Sequence, residues 1–365
     1  MKKEKPKIRI GVIGCGKASE TLHLPALNRL GAVQVIAAAD SNENRLRTVT
    51  ERFSIPKRFT DYRELLEQDD VDAVAVFTSP GSHMEIGLCA LESRKHLFID
   101  KPLAIDVDEC ETLVQKASGA PVRTMLGFNF RWHRLLRSAR DIVRSGALGE
   151  IKGIQSTYTH WHPGETAQVW HRKRELGGGV LLNDGVHHFD LWRFLLEREI
   201  TEIFSISSAS EFFEDETSAV TGRLEGGTLA SALFSFGSSP ESSVEICGSL
   251  GRLVVSCYRF DGLEFFSNQT YPGSIAGRMR KAMNTLKELP ESIPAILKGG
   301  DFLYTYLSQW RHFADCIITG REPECTFEDG KKAVRIACAS VESVKSGKKI
   351  RLGPEHVKND GGRRE

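Results

Sequence analysis

The sequence of 365 residues predicts a doubly wound α/β domain followed by an α+β domain. Short apolar strands alternate with helical segments up to about residue 128, which predicts a parallel sheet with right-handed crossovers. Beyond that point, strands follow one another with glycine-containing turns between them, which predicts an antiparallel sheet. A chain of this length also exceeds one ordinary hydrophobic core.

The composition is that of a globular protein in solution, with 40% hydrophobic residues, 27% charged residues and a net charge of +1. So small a net charge favours neither a nucleic-acid partner nor an anionic membrane. The basic start MKKEKPKIRI precedes no apolar run of signal-peptide length, and no stretch is long enough to span a bilayer. The eight cysteines are scattered without a CxxC pair, so we expect reduced thiols in a cytoplasmic protein.

The first strand, Ile8–Ile13, leads through a glycine-containing turn into a helical segment. Gly14 permits the tight turn, and Gly16 lets the backbone approach the pyrophosphate of a dinucleotide. The helix N-terminus then presents free N–H groups and the positive end of its dipole to the phosphates. The cofactor-binding residues predicted in this turn are Gly14, Gly16, Lys17 and Ala18.

The second strand, Val33–Ala39, ends at Asp40, 24 residues after Gly16. A carboxylate at this spacing accepts hydrogen bonds from both ribose hydroxyls of NAD. Asp40 would repel the 2′-phosphate of NADP, so we expect NAD, with Arg45 as the residue that could still accommodate NADP. Ser19 occupies the third glycine position of the motif, which predicts a wider gap between helix and strand.

The alternation of strands and helices continues to the end of the first domain. The predicted helices are Asn42–Phe53, Asp61–Gln68, His83–Glu92 and Val107–Ser118, and the predicted strands are Val71–Phe77, Leu97–Ile99 and Thr124–Phe128. Ligands of such sheets lie at the carboxyl ends of the strands. The further cofactor-binding residues predicted near these ends are Ser79, His83, Asp100 and Lys101.

The second domain continues into turn-linked strands and closes with two helices. The predicted elements are helix Arg131–Ser145, strands Ile151–Thr159, Ala219–Leu224, Thr228–Phe236, Val244–Cys247 and Leu253–Tyr258, and helices Phe302–Thr319 and Phe327–Ser346. We expect the last helix, at 328–347, to pack back on the first domain, which gives domains at 1–128 and 129–352 and a tail at 353–365. The segment Tyr271–Gly300 has no clear period and is interpreted as a lid or an oligomer contact.

The stretch Gly177–Asp190, GGGVLLNDGVHHFD, concentrates polar side chains on a predicted helix. Residues four apart share a helix face, so Asn183 lies above His187 and Asp184 above His188. The two pairs point about 100° apart, and only one of them can face a given cleft. Periodicity leaves both alternatives open.

Several motifs occur in a specific order, namely GVIGCGKAS (11–19), HLPAL (23–27), SPGSH (79–83), DKP (100–102), GFNFRW (127–132), GALGEI (146–151), the stretch at 177–190, and FEDGKKAVRIACASVESVKSGKKI (327–350). On these motifs the chain, from about residue 8 to residue 352, resembles the Gfo/Idh/MocA family, named for glucose–fructose oxidoreductase and inositol dehydrogenase. The resemblance implies an N-terminal Rossmann domain and a C-terminal α+β domain with a large, mostly antiparallel open sheet. Usual members move hydride between NAD(P) and a hydroxyl carbon of a sugar, cyclitol or nucleotide-sugar, and commonly form dimers or tetramers through that sheet.

Carried over residue by residue, the family's lysine falls on Lys101, its histidine on His187 and its last carboxylate on Asp190. Its first catalytic carboxylate falls on Asn183, which is a departure from the pattern. This register favours His187 as the base, because the base should titrate near neutrality, which suits histidine. Lys101 is predicted to stabilise alkoxide character on the reacting hydroxyl, and Asn183 to orient the substrate. Asp190 either orients the ring of His187 or makes a structural hydrogen bond.

Further substrate-binding candidates include the run YTHWH at 158–162 and the basic run at 172–174. Arginine there suits a carboxylate or phosphate on the substrate, and an ordinary solvated loop is an equal alternative. The predicted substrate-binding residues are Arg131, Tyr158, His160, Trp170, Arg172, Asn183, Asp184 and His187. The histidines of this region lack zinc-site spacing and no cysteine lies nearby, so no metal is predicted.

We therefore predict an NAD-dependent dehydrogenase or reductase that acts on a hydroxyl carbon of a sugar, sugar acid, cyclitol or nucleotide-sugar. One alternative is an enzyme that keeps NAD bound and uses transient oxidation for transhydrogenation or glycoside cleavage. Another is an NAD-binding sensor without turnover. The expected partners are a carbohydrate-type small molecule and further copies of the chain, which form a homodimer or homotetramer through the C-terminal sheet.

Overall fold

The computed structural model describes residues 7–269, 271, 274–296 and 300–353. The strands of this part form two sheets, one with six strands and one with eight. The predicted tail, apart from Gly353, lies outside the described residues, as does part of the segment Tyr271–Gly300.

The first sheet is entirely parallel. Its strands are β1 (Ile8–Ile13), β2 (Val33–Ala39), β3 (Lys57–Phe59), β4 (Ala73–Val76), β5 (His96–Asp100) and β6 (Thr124–Gly127). They lie in the order β3-β2-β1-β4-β5-β6, so the strand order reverses between β1 and β4, whose carboxyl ends are where such sheets bind ligands. This topology confirms the predicted doubly wound α/β fold.

Helices cover both faces of the first sheet. They are α1 (Leu24–Leu27), α2 (Glu43–Phe53), α3 (Tyr62–Leu66), α4 (His83–Glu92) and α5 (Val107–Ser118). Asn42, Asp61 and Asp106 each cap a helix by accepting a hydrogen bond from a backbone N–H group in its first turn. The helix after the glycine turn begins with a π-turn, Ser19–His23, in which the buried hydroxyl of Ser19 has no hydrogen-bond partner among the described residues.

The second sheet is mostly antiparallel and open. Its strands are β7 (Ile151–Trp161), β8 (Ile200–Ser208), β9 (Thr217–Leu224), β10 (Leu229–Ser235), β11 (Gly237–Gly248), β12 (Gly251–Ser256), β13 (Leu263–Ser267) and β14 (Ile350–Arg351). They lie in the order β13-β12-β11-β7-β10-β9-β8-β14, and β10 pairs with β7 in parallel. The architecture confirms the predicted α+β half, while β3, β8, β13 and β14 were not predicted.

The helices of the second half are α6 (Arg134–Arg144), α7 (Val169–Arg172), α8 (Val186–Leu196), α9 (Ile275–Ile296), α10 (Gly300–Thr319) and α11 (Phe327–Ser346). Every residue of α8 is buried. The helix predicted at Arg131–Ser145 begins only at Arg134, because Asn129–Trp132 forms a 3₁₀ turn. Within the described residues, no helix is both long and apolar enough to cross a membrane.

Two C-terminal helices join the halves of the molecule. α11 packs on α5 and β6 of the first half and on α8 and β8 of the second. Lys331 on α11 lies 2.9 Å from Glu111 on α5, and Ser343 accepts a hydrogen bond of 3.0 Å from the backbone of Ser205 on β8. On α10, Trp310 stacks on Phe98 of β5 at 4.3 Å between ring centroids. The two halves are therefore held together by a continuous core.

Candidate active site

The glycine turn after β1 leaves room for a cofactor. Gly14 has φ of +96°, and a Cβ there would lie 2.7 Å from the carbonyl oxygen of Phe77, so the turn requires glycine. A Cβ on Gly16 would meet no atom within 4 Å, so its backbone faces open space. Lys17 is exposed and Ala18 half-buried at the start of the next helical turn. The turn therefore fits the phosphates of a dinucleotide.

The backbone at the end of β2 holds Asp40 in place. The carboxylate accepts hydrogen bonds from the N–H groups of Cys15 and Asn42, both at 2.8 Å, and pairs with Arg45 at 3.0 Å. A carboxylate has about four acceptor positions, so one is left while Arg45 stays in place. Asp40 can thus take one ribose hydroxyl directly, and the predicted second hydrogen bond requires Arg45 to move.

Lys101, at the end of β5, reaches across to the second half of the chain. Its Nζ donates to the backbone carbonyl of Asn183 at 2.7 Å and to the side-chain oxygen of Asn183 at 3.2 Å. Its backbone N–H donates to Asp100 at 2.9 Å, and Asp100 lies 3.5 Å from the buried ring of His23. Burial would raise the pKa of Asp100, but His23 and Lys101 outweigh it and lower that pKa. Asp100 therefore supports the loop that carries Lys101.

The helix with the two histidines begins with a π-turn, Leu181–Gly185, ahead of α8. A π-turn has a wider repeat than an α-helix and often marks a functional site. Asn183 and Asp184 therefore lie in a π-turn, and the α-helix that carries His187 and His188 begins only at Val186. In the π-turn, Asn183 presents both of its oxygens to Lys101.

The two adjacent histidines have different surroundings. His188 is fully buried, and neither of its ring nitrogens has a hydrogen-bond partner among the described residues. Burial lowers the pKa of His188 to about 4. Its ring lies within 6 Å of three aromatic rings, those of Phe130, Tyr158 and Phe234.

His187 lies against Phe130, with ring centroids 5.0 Å apart, and is 7% exposed. Burial, followed by the charge of Lys101 and the neighbouring His188, holds the pKa of His187 well below its usual value. Its Nδ1 has no hydrogen-bond partner among the described residues. His187 is therefore a neutral imidazole close to the ammonium group of Lys101.

Asp184 pairs with His160, a contact that the sequence interpretation did not identify. The Nε2 atom of His160, at the end of β7, lies 2.9 Å from Oδ2 of Asp184. Burial would lower the pKa of His160, but the hydrogen bond and charge of Asp184 outweigh it and raise that pKa. The contact therefore favours the protonated form of His160, and the ring of Tyr158 lies 5.9 Å from that of His160.

Two arginines predicted to bind substrate have their charged groups occupied elsewhere. Arg131 is buried and pairs with Asp190 at 2.7 Å and with Asp329 at 2.9 Å. Asp190 therefore neither orients His187 nor leaves Arg131 free for a ligand. Arg172 donates its guanidinium hydrogen bonds to the backbone carbonyls of the loop before it, those of Gly164, Glu165 and Ala167. Both contacts stabilise the protein itself.

His83 connects two strand-end loops. One ring nitrogen lies 2.8 Å from the carbonyl oxygen of Pro102, and the other lies 3.1 Å from that of Thr78. The ring is buried, whereas Ser79 on the neighbouring loop is exposed. His83 is thus placed to hold the two loops together. Of the residues His83 and Ser79, only Ser79 has a surface that is open to a ligand.

The remaining predicted residues lie at the rim of the site. Trp170 stacks on His171 at 3.6 Å and donates its indole N–H to Gln168 at 2.7 Å. The rings of His171 and His162 are 5.2 Å apart, and burial lowers the pKa of His171 to about 4. Among the described residues, no three His, Cys, Asp or Glu side chains form a group that could hold a metal ion.

His23 is a supporting residue that reasoning from the sequence did not single out. It is fully buried, stacks on Phe77 at 4.0 Å and accepts a hydrogen bond of 3.1 Å from the indole of Trp310. It thus links α10 to Asp100 and the loop of Lys101. The motif HLPAL at 23–27 contains this histidine, and its place just before a proline at the helix start was the available signal.

Both halves of the chain match known protein families. Residues 8–128 match the family described as "Oxidoreductase family, NAD-binding Rossmann fold", and residues 136–254 match the GFO/IDH/MocA C-terminal domain. The chain is 25% identical to a myo-inositol 2-dehydrogenase of Thermotoga maritima over 357 residues, which cover 94% of this chain and 98% of that protein.

A second relative is the dTDP-3,4-didehydro-2,6-dideoxy-alpha-D-glucose 3-reductase of Saccharopolyspora spinosa, 32% identical over 68% of this chain and 74% of that protein. The fold is also that of the WlbA dehydrogenase from Bordetella pertussis, solved with NADH and UDP-GlcNAcA, with a TM-score of 0.81. That match is 21% identical and covers 96% of this chain and 99% of the other. The chain therefore belongs to the Gfo/Idh/MocA family of oxidoreductases, with an NAD-binding Rossmann fold in its N-terminal half.

Proposed function

We propose that this oxidoreductase moves hydride between NAD and a hydroxyl-bearing carbon of a sugar-type substrate, with Lys101 and His187 acting on the hydroxyl. The observation that carries the proposal is the contact of Lys101 with Asn183. It brings an ammonium group from the end of β5 beside a buried, neutral histidine of the second half. An ammonium group and a neutral imidazole are the two groups that alcohol oxidation needs.

The cofactor fits the first half of the chain. The turn at Gly14 and Gly16 would hold the phosphates and Asp40 a ribose hydroxyl. When bound, NAD supplies the nicotinamide carbon that accepts or returns the hydride.

In the oxidising direction, His187 accepts the proton of the substrate hydroxyl. A pKa held well below its usual value keeps the ring neutral and ready at physiological pH. The same burial makes the imidazolium costly, so the accepted proton is passed on rather than kept. Lys101 donates a hydrogen bond to the oxygen and stabilises its negative charge, and Asn183 fixes the position of the ammonium group.

The substrate class follows from the polar groups around this centre and from the named relatives. The His160–Asp184 pair and the hydroxyl of Tyr158 offer donors and acceptors for hydroxyl groups next to the reacting carbon. The relatives named above act on a cyclitol and on a dTDP-sugar, and the WlbA structure contains UDP-GlcNAcA. We infer a sugar, sugar acid, cyclitol or nucleotide-sugar as substrate.

The test is the absorbance of NADH at 340 nm, with NAD and a panel of cyclitols, free sugars, sugar acids and nucleotide-sugars. We expect turnover with at least one of them, and Lys101→Met should lower that turnover by about 100-fold or more. NAD that stays bound through gel filtration and is not consumed would instead support a transient redox role. Tight NAD binding with no reaction on any substrate would contradict the proposal and favour a sensor.

We also propose that the chain forms homo-oligomers through the open face of the second sheet. Phe204 and Ile206 on β8, and Leu229 and Leu233 on β10, are exposed on one face. Residues on the opposite face of both strands are buried, and α11 packs on β8. Ile206→Glu should lower the mass measured by light scattering, and an unchanged mass would contradict this interface.

The predicted cytoplasmic location rests on cysteine usage, since none of the eight cysteines, all within the described part, forms a disulfide.

A further inference from the structure

The helix α9 leaves an apolar stripe uncovered. Its five large members are all exposed, from 41% for Leu289 to 78% for Ile275. Ala282, which lies among them along the helix, is exposed as well. The six positions of the stripe, called the α9 seam below, are Ile275, Met279, Ala282, Leu286, Leu289 and Ile293. Contiguous exposed apolar surface of this kind marks an interaction site.

A different side of α9 holds it to the rest of the molecule. Thr285 donates a hydrogen bond of 2.9 Å to Asp261, and Arg134 donates one of 3.4 Å to Ser292. The helix is capped at its start, where the backbone N–H of Gly277 donates to the Ser274 hydroxyl at 3.1 Å. Thr285 and Ser292 each directly precede a seam residue, so the tethered side flanks the seam and leaves the seam side chains exposed.

The seam has the spacing of a coiled coil. Successive members are separated by four, three, four, three and four residues, which is the alternation of a and d positions in a heptad repeat. The seam runs over about 27 Å of helix at 1.5 Å per residue. Pro290 and Pro294 fall outside its six positions. A helix that only lies on a lipid surface has no need of this strict repeat.

The seam is also symmetric about its own midpoint, residue 284. The spacing is the same when the helix is read from its C-terminus. In an antiparallel pair, each seam residue of one copy would therefore face a seam residue of the other. The facing pairs would be Ile275 with Ile293, Met279 with Leu289, and Ala282 with Leu286. Such self-complementarity is what a two-fold interface between identical chains requires.

The charges along α9 agree with an antiparallel arrangement. The first part of the helix carries Arg278, Arg280 and Lys281 with no acidic residue, and its last part carries Glu288 and Glu291 with one basic residue, Lys287. In the antiparallel register, the basic part of one helix lies beside the acidic part of the other. A parallel pair would instead bring the basic parts together.

We propose that α9 is a self-association surface that pairs antiparallel with α9 of a second copy of this chain. This surface is separate from the open face of the second sheet. Pairing through α9 alone gives a dimer, and pairing through both surfaces gives a closed tetramer. The proposal does not depend on the enzymatic activity, so either can fail without the other.

The first test compares the mass of the wild type and of two variants by sedimentation velocity. Leu286→Glu places a charge in the seam, and Lys287→Gln, the matched control, lowers the net charge by the same one unit just outside it. We expect Leu286→Glu to halve the mass and Lys287→Gln to leave it unchanged. NAD binding, followed by fluorescence, should be the same in all three proteins and shows that each is folded.

The second test is a charge rescue that reports the register. Ala282→Lys should also halve the mass, because position 282 faces position 286 of the other copy. The double variant A282K/L286E should recover the wild-type mass, since each introduced lysine then faces an introduced glutamate. In a parallel pair, like charges would meet and no recovery would follow.

The proposal is overturned if the wild type is a monomer at micromolar concentration, or if Leu286→Glu leaves the mass unchanged. Failure of the double variant to recover association overturns the antiparallel register. Binding to vesicles of phosphatidylcholine and phosphatidylserine that is lost in Leu286→Glu, with no change in mass, assigns the seam to a membrane surface and likewise overturns the proposal.

Discussion

At the scale of single residues, Asn183 sets the character of the site. An aspartate there would add a negative charge near His187 and raise the pKa of that histidine. The amide instead holds the Lys101 ammonium through a neutral hydrogen bond, so the pKa of His187 stays low. In the mechanism that we propose, the base is therefore neutral over the whole physiological pH range, and Lys101 supplies the positive charge at the reacting hydroxyl.

We expect the Asp40 carboxylate and the Arg45 guanidinium together to determine which dinucleotide binds. In Asp40→Ser, the carboxylate that repels a 2′-phosphate is lost and Arg45, which it held at 3.0 Å, is released. We expect the Kd for NAD to rise about tenfold and the Kd for NADP to fall by a similar factor. Fluorescence titration with both cofactors measures this. The gain for NADP should disappear in the double variant D40S/R45A, and a gain that persists would contradict the role of Arg45.

His188 should be a source of acid sensitivity. Its pKa is about 4 in the folded protein and about 6.5 unfolded, so the unfolded chain binds the extra proton between these values. The stability it contributes is complete above pH 6.5 and is lost as the pH falls through 4, at a cost of about 3 kcal/mol. His188→Phe removes this pH-dependent part of the free energy of unfolding. Urea unfolding should therefore show a smaller fall in that free energy between pH 7 and pH 4.5 for the variant than for the wild type.

The same variant separates the two adjacent histidines. His188 has no hydrogen-bond partner among the described residues and lies among aromatic rings, so phenylalanine should leave turnover within about threefold of the wild type. A loss as large as that expected for His187→Ala would show that the base had been assigned to the wrong ring.

Single residues were predictable where a motif contained them. Lys101, Asn183 and His187 follow from short local patterns that carry their spacing with them. The partners of Asp184 and His23 could not be predicted from such patterns. The contact of Asp184 with His160 spans 24 positions of the chain, and that of His23 with Trp310 spans 287. Nothing local distinguishes these partners from other buried polar residues.

At the scale of elements, a buried ion network joins α8, α11 and the turn before α6. Arg131 contacts Asp190 and Asp329, and Arg193 lies 3.7 Å from both carboxylates. Burial works against the charge of Arg131, but Asp190 and Asp329 outweigh it and raise its pKa well above the usual value. The network fixes the end of the helix that carries His187 against the domain-joining helix.

Asp190→Asn should therefore destabilise the protein by about 3 kcal/mol, because it leaves the buried guanidinium of Arg131 with less compensating charge. Urea unfolding at pH 7 measures the change. The matched control is Glu92→Gln, which breaks the exposed pair with Lys116 at 2.9 Å and should cost under about 1 kcal/mol. Equal effects of the two substitutions would contradict a structural role for the network.

Elements with a clear period and clear end signals were predicted with their bounds. β1, β2, α4, α5 and α11 have the predicted limits, because apolar runs and capping residues define them. β3 was missed since it has only three residues, two of them basic. β8 was missed since its outer face is partly apolar, through Phe204 and Ile206, which removes the alternation typical of a half-buried strand. α9 was missed although its apolar residues have a heptad spacing, because Pro290 and Pro294 fall within it and proline disfavours a helix interior.

At the scale of the whole molecule, the candidate site exists only because the two halves meet. Lys101 comes from one sheet and Asn183 and His187 from the helix beneath the other, and α10 and α11 hold the halves in register. The two-domain architecture was predictable from the change in element pattern near residue 128. The role of α10 was not, because its contact with the first half runs through Trp310 and Phe98, which no sequence pattern connects.

The most direct test of the account compares His187→Ala with the wild type in two measurements on the same preparation, turnover at 340 nm and NAD affinity by fluorescence. The account predicts that kcat falls by about 100-fold or more, while the Kd for NAD stays within about threefold, since His187 moves a proton and does not hold the cofactor. Near-normal turnover in the variant would contradict the account.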